Sequence, residues 1–230
     1  MYPTPRARRL ALTLSTVLPL MACGGGGSGS TVEPPPPPPA GPQPLACDKL
    51  TGMSIPASAI GLPTSGGTVA TAVVVPAAGS AASLVPEHCL VTATIAPVDK
   101  SSSDITLRIA LPATWNKKVL MLGGGGFNGS VPAVTGNVPA GPVDQPRPIA
   151  RGYAVFGSNG GHAAGALGSL DGTFLMNEES LRNWAGEALK KTRDAAMHIV
   201  KARYAVEKAE QSYFAGGSTG GREALEVATR

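Results

Sequence analysis

Apolar and polar residues alternate with different periods in different parts of the chain. Thr68–Val75, Leu90–Ile95, Ile105–Leu111 and Val119–Leu122 are short β-branched or apolar runs bounded by Gly, Pro and Ser, the pattern of strands. Gly152–Gly157 is another short apolar strand. From Glu179 to Tyr204 the period becomes helical, and Leu181, Trp184, Leu189, Ala196, Ile199 and Val200 fall along one face. Asn177 is placed to cap this helix, and Glu178 and Glu179 put negative charge at its positive end. Ser212–Ala215 reads as a strand again, and the chain is helical from Thr219 to Arg230. Strand, long helix, strand, helix implies an α/β fold in which crossover helices join parallel strands.

Ahead of residue 45 neither period is present. Arg6, Arg8 and Arg9 followed by the apolar stretch Leu10–Leu20 and small residues read as an export signal over residues 1–22. The apolar stretch is too short for a bilayer core, which takes about 20 residues. Leu20-Met21-Ala22-Cys23 resembles a bacterial lipobox, which makes Cys23 the expected lipidated N-terminus. Residues 23–44 then read as a tether: Gly24–Ser30 is flexible, and Pro34–Pro39 is a polyproline II rod rising about 3.1 Å per residue. The expectation is an exported protein, either an outer-membrane lipoprotein anchored through Cys23 or a periplasmic or cell-surface one, with its folded domain over residues 45–230.

Composition narrows the classes. The net charge is +4, but Arg6, Arg8 and Arg9 belong to the signal, and without them it falls to +1. Aromatic residues are 4% and charged residues 15% of the chain, a poor match to a nucleic-acid surface. Lys190, Lys191, Arg193, Lys201 and Arg203 cluster on the long helix, but Glu187, Asp194, Glu207 and Glu210 are interleaved, as on a solvated face. No C-x-x-C or H-E-x-x-H motif occurs, so no metal site is expected. With Cys23 lipidated, Cys47 and Cys89 remain, and in an oxidising compartment two such cysteines favour a disulfide. The bridge would close a loop of about 42 residues, worth roughly 4 kcal/mol in the chain-entropy model.

The candidate chemistry lies at the last strand-to-helix junction. Gly216-Gly217-Ser218-Thr219-Gly220-Gly221 contains G-x-S-x-G between an apolar strand and a helix, the setting of a nucleophile elbow. Ser218 is the candidate nucleophile, and the helix N-terminus behind it suits developing negative charge. A second glycine-rich loop, Gly123–Gly129, follows Val119–Leu122. In α/β-hydrolases a loop so placed supplies one oxyanion-hole amide and the residue after the nucleophile supplies the other, here Gly126 and Thr219.

Taken together, Glu87-His88-Cys89, Leu111-Pro112-Ala113-Thr114-Trp115-Asn116, Gly123–Gly129, Ser158-Asn159-Gly160-Gly161-His162 and the stretch from Ser212 to Arg222 make the chain from Cys47 to Arg230 resemble the N-terminal part of the tannase and feruloyl esterase family, which includes mono(2-hydroxyethyl) terephthalate hydrolase-like bacterial members. The resemblance implies an α/β-hydrolase with a lid, cleaving feruloyl, galloyl or terephthaloyl esters through a Ser-Asp-His triad, and it also implies the Cys47–Cys89 bridge. The calcium site of some relatives lies in the lid, past Arg230, so no cofactor is expected in this chain. The implied partners are a small aromatic ester and, through Cys23, a membrane; nucleic acid is not one.

Two positions depart from the family pattern. Gly217 stands where a disulfide-bonded Cys usually precedes the nucleophile, and Asn159 where relatives often carry Asp. Moreover, no Asp or His occurs after Ser218, whereas the triad order is Ser, Asp or Glu, then His. Of the upstream histidines, His88 and His162 read as structural and His198 as a helix residue at or near the surface. The sequence therefore predicts a fragment close to inactive by itself. The rival expectation is a non-catalytic surface lipoprotein that keeps the hydrolase scaffold as a binding module.

Overall fold

The computed structural model describes residues 43–229; the expected export signal, Cys23 and all but the last two residues of the expected tether lie outside them. Within that range β1 (Ser54–Ile55), β2 (Gly67–Val75), β3 (His88–Ile95) and β4 (Ile105–Pro112) pair antiparallel in succession. Each connection turns the chain back on itself with no crossover α-helix, as antiparallel pairing requires. β5 (Lys118–Leu122) is parallel both to β6 (Ala154–Ser158) and to β7 (Gln211–Ala215), and β6 pairs antiparallel with β4. The strand order is β1-β2-β3-β4-β6-β5-β7. The sheet is thus mixed: only the strands reached through long crossovers are parallel.

Alternation along each strand sends side chains to two cores. Val119, Met121, Ala154 and Phe156 join Ile109 and Leu111 on the face covered by α2 (Ala188–Tyr204), against Ala195, Ala196, Ile199 and Val200. Leu120, Leu122, Val155 and Ala110 point the other way and pack with Val134 and Ile149 from the β5–β6 connection. Cys47 and Cys89, both buried in the first core, are disulfide-bonded with Cα atoms 5.7 Å apart. The bond ties the start of the described chain to β3.

Three expectations are corrected. The strand predicted at Gly152 starts at Ala154, because Pro148–Arg151 forms a 3-10 turn and Gly152 closes it in the left-handed region at φ 83°. The single helix over 179–204 is broken: α1 (Glu178–Arg182), with Asn177 capping the amide of Ser180, runs into a π-helical turn at Asn183–Glu187 before α2 begins. Gly186 sits in that turn at φ 154°, and the wider turn shifts the helical register, leaving Leu181 41% exposed instead of on the apolar face. Nor is the basic cluster wholly solvated. Lys191 is 2% exposed and lies 3.5 Å from Glu179 and 3.3 Å from Glu187, and it donates to Asn183 Oδ1 at 2.9 Å. Glu179 also receives the amides of Val98 and Asp99, so this buried pair staples the π turn to the segment that follows β3.

The order β6-β5-β7 places the site. From β5 the chain steps to one side to make β6, then crosses back over β5 through α1 and α2 to make β7. β5 is therefore the switch point, and the parallel strands all end at the same edge, at Leu122, Ser158 and Ala215. In open α/β sheets the crevice outside such carboxyl ends holds the ligand. The loops that leave it are Gly123–Gly129, Asn159–His162 and Gly216–Ser218.

Candidate active site

After β7 the chain turns into α3 (Thr219–Ala228) with Ser218 at the helix cap, at φ 54° and ψ −122°. A non-glycine residue there costs about 1–3 kcal/mol and persists only where its surroundings force it. Here a tight approach of glycine backbones does so. A Cβ on Gly216 would lie 2.5 Å from Gly220 O and 2.7 Å from Gly220 Cα, so strand and helix can pass only where neither carries a side chain. The strain has a consequence: Ser218 is exposed at the carboxyl end of the sheet rather than packed inside. Gly217, beside it, faces Pro139, whose Cβ would be 3.2 Å from an added Cβ.

The glycine-rich loop after β5 is tied to this elbow. Gly220 N donates to Gly124 O at 3.1 Å, and the Thr219 hydroxyl donates to Gly126 O. Gly126 is itself left-handed at φ 58°, against Ser169. The two residues predicted to supply oxyanion amides are thus neighbours, joined by a hydrogen bond beside Ser218. Thr219 occupies the first position of α3, where an N–H has no partner within the helix.

Two side chains that the sequence reading passed over complete the connection. Glu223, 3% exposed on α3, accepts Gly124 N at 3.1 Å through one oxygen and Asn128 Nδ2 at 2.6 Å through the other. Asn128 is buried and left-handed at φ 70°. Glu223 lies in no motif, and its partners are 99 and 95 residues away, so local pattern carries no trace of it.

Beside the loop stands an aromatic group, also unforeseen. Phe127 lies 5.8 Å from Trp184 and 6.4 Å from Phe174, ring centre to ring centre. Phe174 stacks on His162 at 3.5 Å, and the Arg222 guanidinium sits 4.4 Å from the Trp184 ring while donating to Trp184 O. Burial pulls the His162 imidazole below its ordinary pKa, outweighing the backbone of Phe127 and Gly160 and the charge of Asp171. Asp171 is held low by the hydroxyl and amide of Thr173. Asn159, a departure from the family pattern, accepts the amides of Thr106 and Gly161 and shapes the loop after β6.

None of the hydrogen bonds found among the described residues joins a histidine to Ser218. His88 is buried at the start of β3 with Nδ1 on Pro86 O, His162 is committed to its stack, and His198 lies on α2 near Glu207 and Lys208. Among the described residues no three His, Cys, Asp or Glu side chains come together as a metal site would need, and no helix is long and apolar enough to cross a membrane.

Residues 89–230 match the model of the tannase and feruloyl esterase family. An uncharacterized esterase of Agrobacterium fabrum is 40% identical over 193 residues, 83% of this chain and 34% of that protein. The mono(2-hydroxyethyl) terephthalate hydrolase of Piscinibacter sakaiensis is 34% identical over 164 residues, 67% of this chain and 26% of that protein. The crystal structure of feruloyl esterase B from Aspergillus oryzae superposes with a TM-score of 0.55 at 22% identity, covering 77% of this chain and 32% of that one, a likeness of fold. The chain spans about a third or less of the length of these relatives. With its α/β-hydrolase sheet and glycine-bounded elbow, it belongs to the tannase and feruloyl esterase family.

Proposed function

We propose that this chain carries the nucleophile and oxyanion hole of a serine carboxylic-ester hydrolase acting on esters of aromatic acids. The observation that carries the reading is Ser218, strained and exposed at the N-cap position of α3, with Gly126 hydrogen-bonded to the residue that follows it. Ser218 Oγ attacks the ester carbonyl carbon, and the oxygen turns negative where the amides of Thr219 and Gly126 receive it. The C–O bond to the alcohol then breaks, the alcohol leaves with a proton, and water hydrolyses the acyl-serine. Losing one such amide costs about 3–4 kcal/mol of barrier. The relatives' names, a terephthalate ester hydrolase and feruloyl esterases, support an aromatic acyl group, and Phe127, Phe174 and Trp184 offer rings beside the loop.

A serine hydroxyl is a weak nucleophile until something takes its proton. Within these 230 residues no Asp or His comes after Ser218, and no described histidine bonds its hydroxyl. We therefore infer that these 230 residues turn over ester poorly by themselves, the base being the His that follows the nucleophile in α/β-hydrolase chain order. Lipidation at Cys23, holding the domain at a membrane, belongs to the same proposal.

The test is a fluorophosphonate probe applied to the full-length gene product. Covalent labelling of wild type that vanishes in Ser218→Ala supports the reading. No labelling, or equal labelling of both, overturns it in favour of a binding module built on the same scaffold.

A further inference from the structure

The loop Gly123–Gly129 has five glycines in seven residues and no strand or helix of its own. Such a segment has much conformational freedom to lose, so its shape must be imposed from outside. Backbone bonds hold it at its ends and middle: Gly123 N on Ala215 O, Gly129 N on Asn159 O, Ala164 N on Gly129 O, Phe127 N on Ser169 O and Gly220 N on Gly124 O; the side-chain ties are the Thr219 hydroxyl on Gly126 O and the Glu223 carboxylate on Gly124 N and Asn128 Nδ2. Among the described residues Glu223 is the one side chain that makes two of them. It does so from the interior, and burying a carboxylate is costly unless it is well bonded. Among the described residues its partners are two N–H donors of this loop rather than a cation.

We propose that Glu223 is a positioning residue that sets the distance between the Gly123–Gly129 loop and Ser218, and with it the geometry of the oxyanion hole. The inference rests on the ester-hydrolase reading. Ser218 stands at the N-cap position of α3 and Glu223 lies on the same helix five residues on, so one rigid element carries both the nucleophile and the clamp on the loop opposite. Both clamped groups are donors, which specifies a carboxylate. A Gln at this place offers one acceptor and one N–H₂, so either Gly124 N or Asn128 Nδ2 faces a donor, or the Asn128 amide turns over and leaves its own N–H₂ buried where the unpartnered Oδ1 now lies. The mismatch loosens the loop without touching the serine. Changing Asn128 to Asp as well reverses the second bond: the oxygen of the introduced amide accepts Gly124 N while its nitrogen donates to the introduced carboxylate, and both ties return.

The experiment compares wild type, E223Q, N128D and the double variant E223Q/N128D in the full-length gene product, with S218A as control. Each is read by fluorophosphonate labelling rate, by kcat and KM on a p-nitrophenyl ester, and by amide hydrogen exchange of residues 123–129. The expected result is faster exchange in the loop of E223Q, a labelling rate and kcat down about 10- to 100-fold with KM within about twofold, and recovery of most of both in the double variant. Labelling of E223Q at the wild-type rate, or a loss that the double variant leaves in place, overturns the positioning role while Ser218 keeps its own. Wild type that labels no better than S218A brings down the hydrolase reading and this one with it.

Discussion

Gly216 and Gly220 pass so closely that a Cβ on the first would stand 2.5 Å from the carbonyl oxygen of the second. The neighbouring Gly221 has nothing within 4 Å of its own added Cβ and is an ordinary helical residue of α3. Three glycines of one hexapeptide therefore answer differently to the same change. Gly216→Ala forces strand and helix apart, and Gly220→Ala pushes the helix off Gly124 O, which stands 2.9 Å from its added Cβ. A displacement of about 1 Å at the nucleophile costs about 100-fold in rate. Gly221→Ala leaves labelling of Ser218 at the wild-type level and raises stability by up to about 1 kcal/mol, the usual gain of Ala over Gly inside a helix. Parallel measurement of labelling rate and urea midpoint separates the two classes; a harmless Gly216→Ala would mean that the elbow is not shaped by this contact.

The Gly123–Gly129 loop yields a second pair. A Cβ on Gly124 would overlap the Asn128 side chain, whereas one on Gly125 meets nothing within 4 Å. Gly124→Ala should raise amide exchange across residues 123–129 and slow labelling, and Gly125→Ala should do neither. Equal behaviour of the two in hydrogen exchange would show that the loop does not rest on Asn128.

Lys191 gives a prediction about stability alone. It is enclosed with Glu179 and Glu187, and removing it leaves the buried Glu179 carboxylate without its cation, although the amides of Val98 and Asp99 still bond it. Lys191→Met should lower unfolding free energy by about 3–5 kcal/mol. Lys190→Met, on the exposed side of the same helix but bonded to Asp194, should lose no more than about 1 kcal/mol. Chemical denaturation of both variants checks the contrast, and similar losses would contradict the burial of Lys191.

How far these features were legible in the sequence follows from the range of the physics behind them. Strands β2 to β5 and β7 show period-two or apolar runs with turn residues at their ends, and G-x-S-x-G between a strand and a helix marks the elbow; all of this is local. The π turn was invisible because a single glycine, Gly186, leaves the apolar positions on either side of it compatible with one continuous helix, although the exposure of Leu181 records the shift. Lys191 read as solvated because charge pattern assigns lysine to water, and only tertiary packing brings Glu179 to it. Glu223 is the extreme case, an acidic residue in a mixed helix whose meaning comes from a loop 99 residues earlier.

The Cys47–Cys89 bridge spans 42 residues of sequence between two buried positions. Cross-linking a loop of that length removes enough freedom from the unfolded chain to stabilise the fold by about 4 kcal/mol in the entropic model. The double variant C47S/C89S should lose about that much in urea unfolding, and wild type unfolded with reductant should move most of the way toward it. Coincident curves for oxidised and reduced wild type would show that the bond adds nothing.

His162 carries the pH dependence. Burial against Phe174 disfavours its charged form, so its pKa in the folded protein lies below the ordinary 6.5, which is close to its value in the unfolded chain. The sign follows from proton counting. Well above the unfolded value of 6.5, by about pH 7.5, neither state holds the proton and the imidazole contributes no pH dependence. As pH falls below that value the unfolded chain takes up a proton that the folded chain refuses, so stability drops until the folded pKa is reached, where the slope ends. Phe at this place gives up the ring's contacts with the backbone of Phe127 and Gly160, a cost that moves the variant's stability curve as a whole rather than its slope with pH. His162→Phe keeps a ring against Phe174 and removes the titration. Thermal unfolding of the two proteins from about pH 7.5 to about pH 5 should therefore show wild type losing stability relative to the variant as the solution is acidified. Parallel curves over that window would mean that His162 takes up its proton as readily folded as unfolded, and that the stack does not exclude the charge.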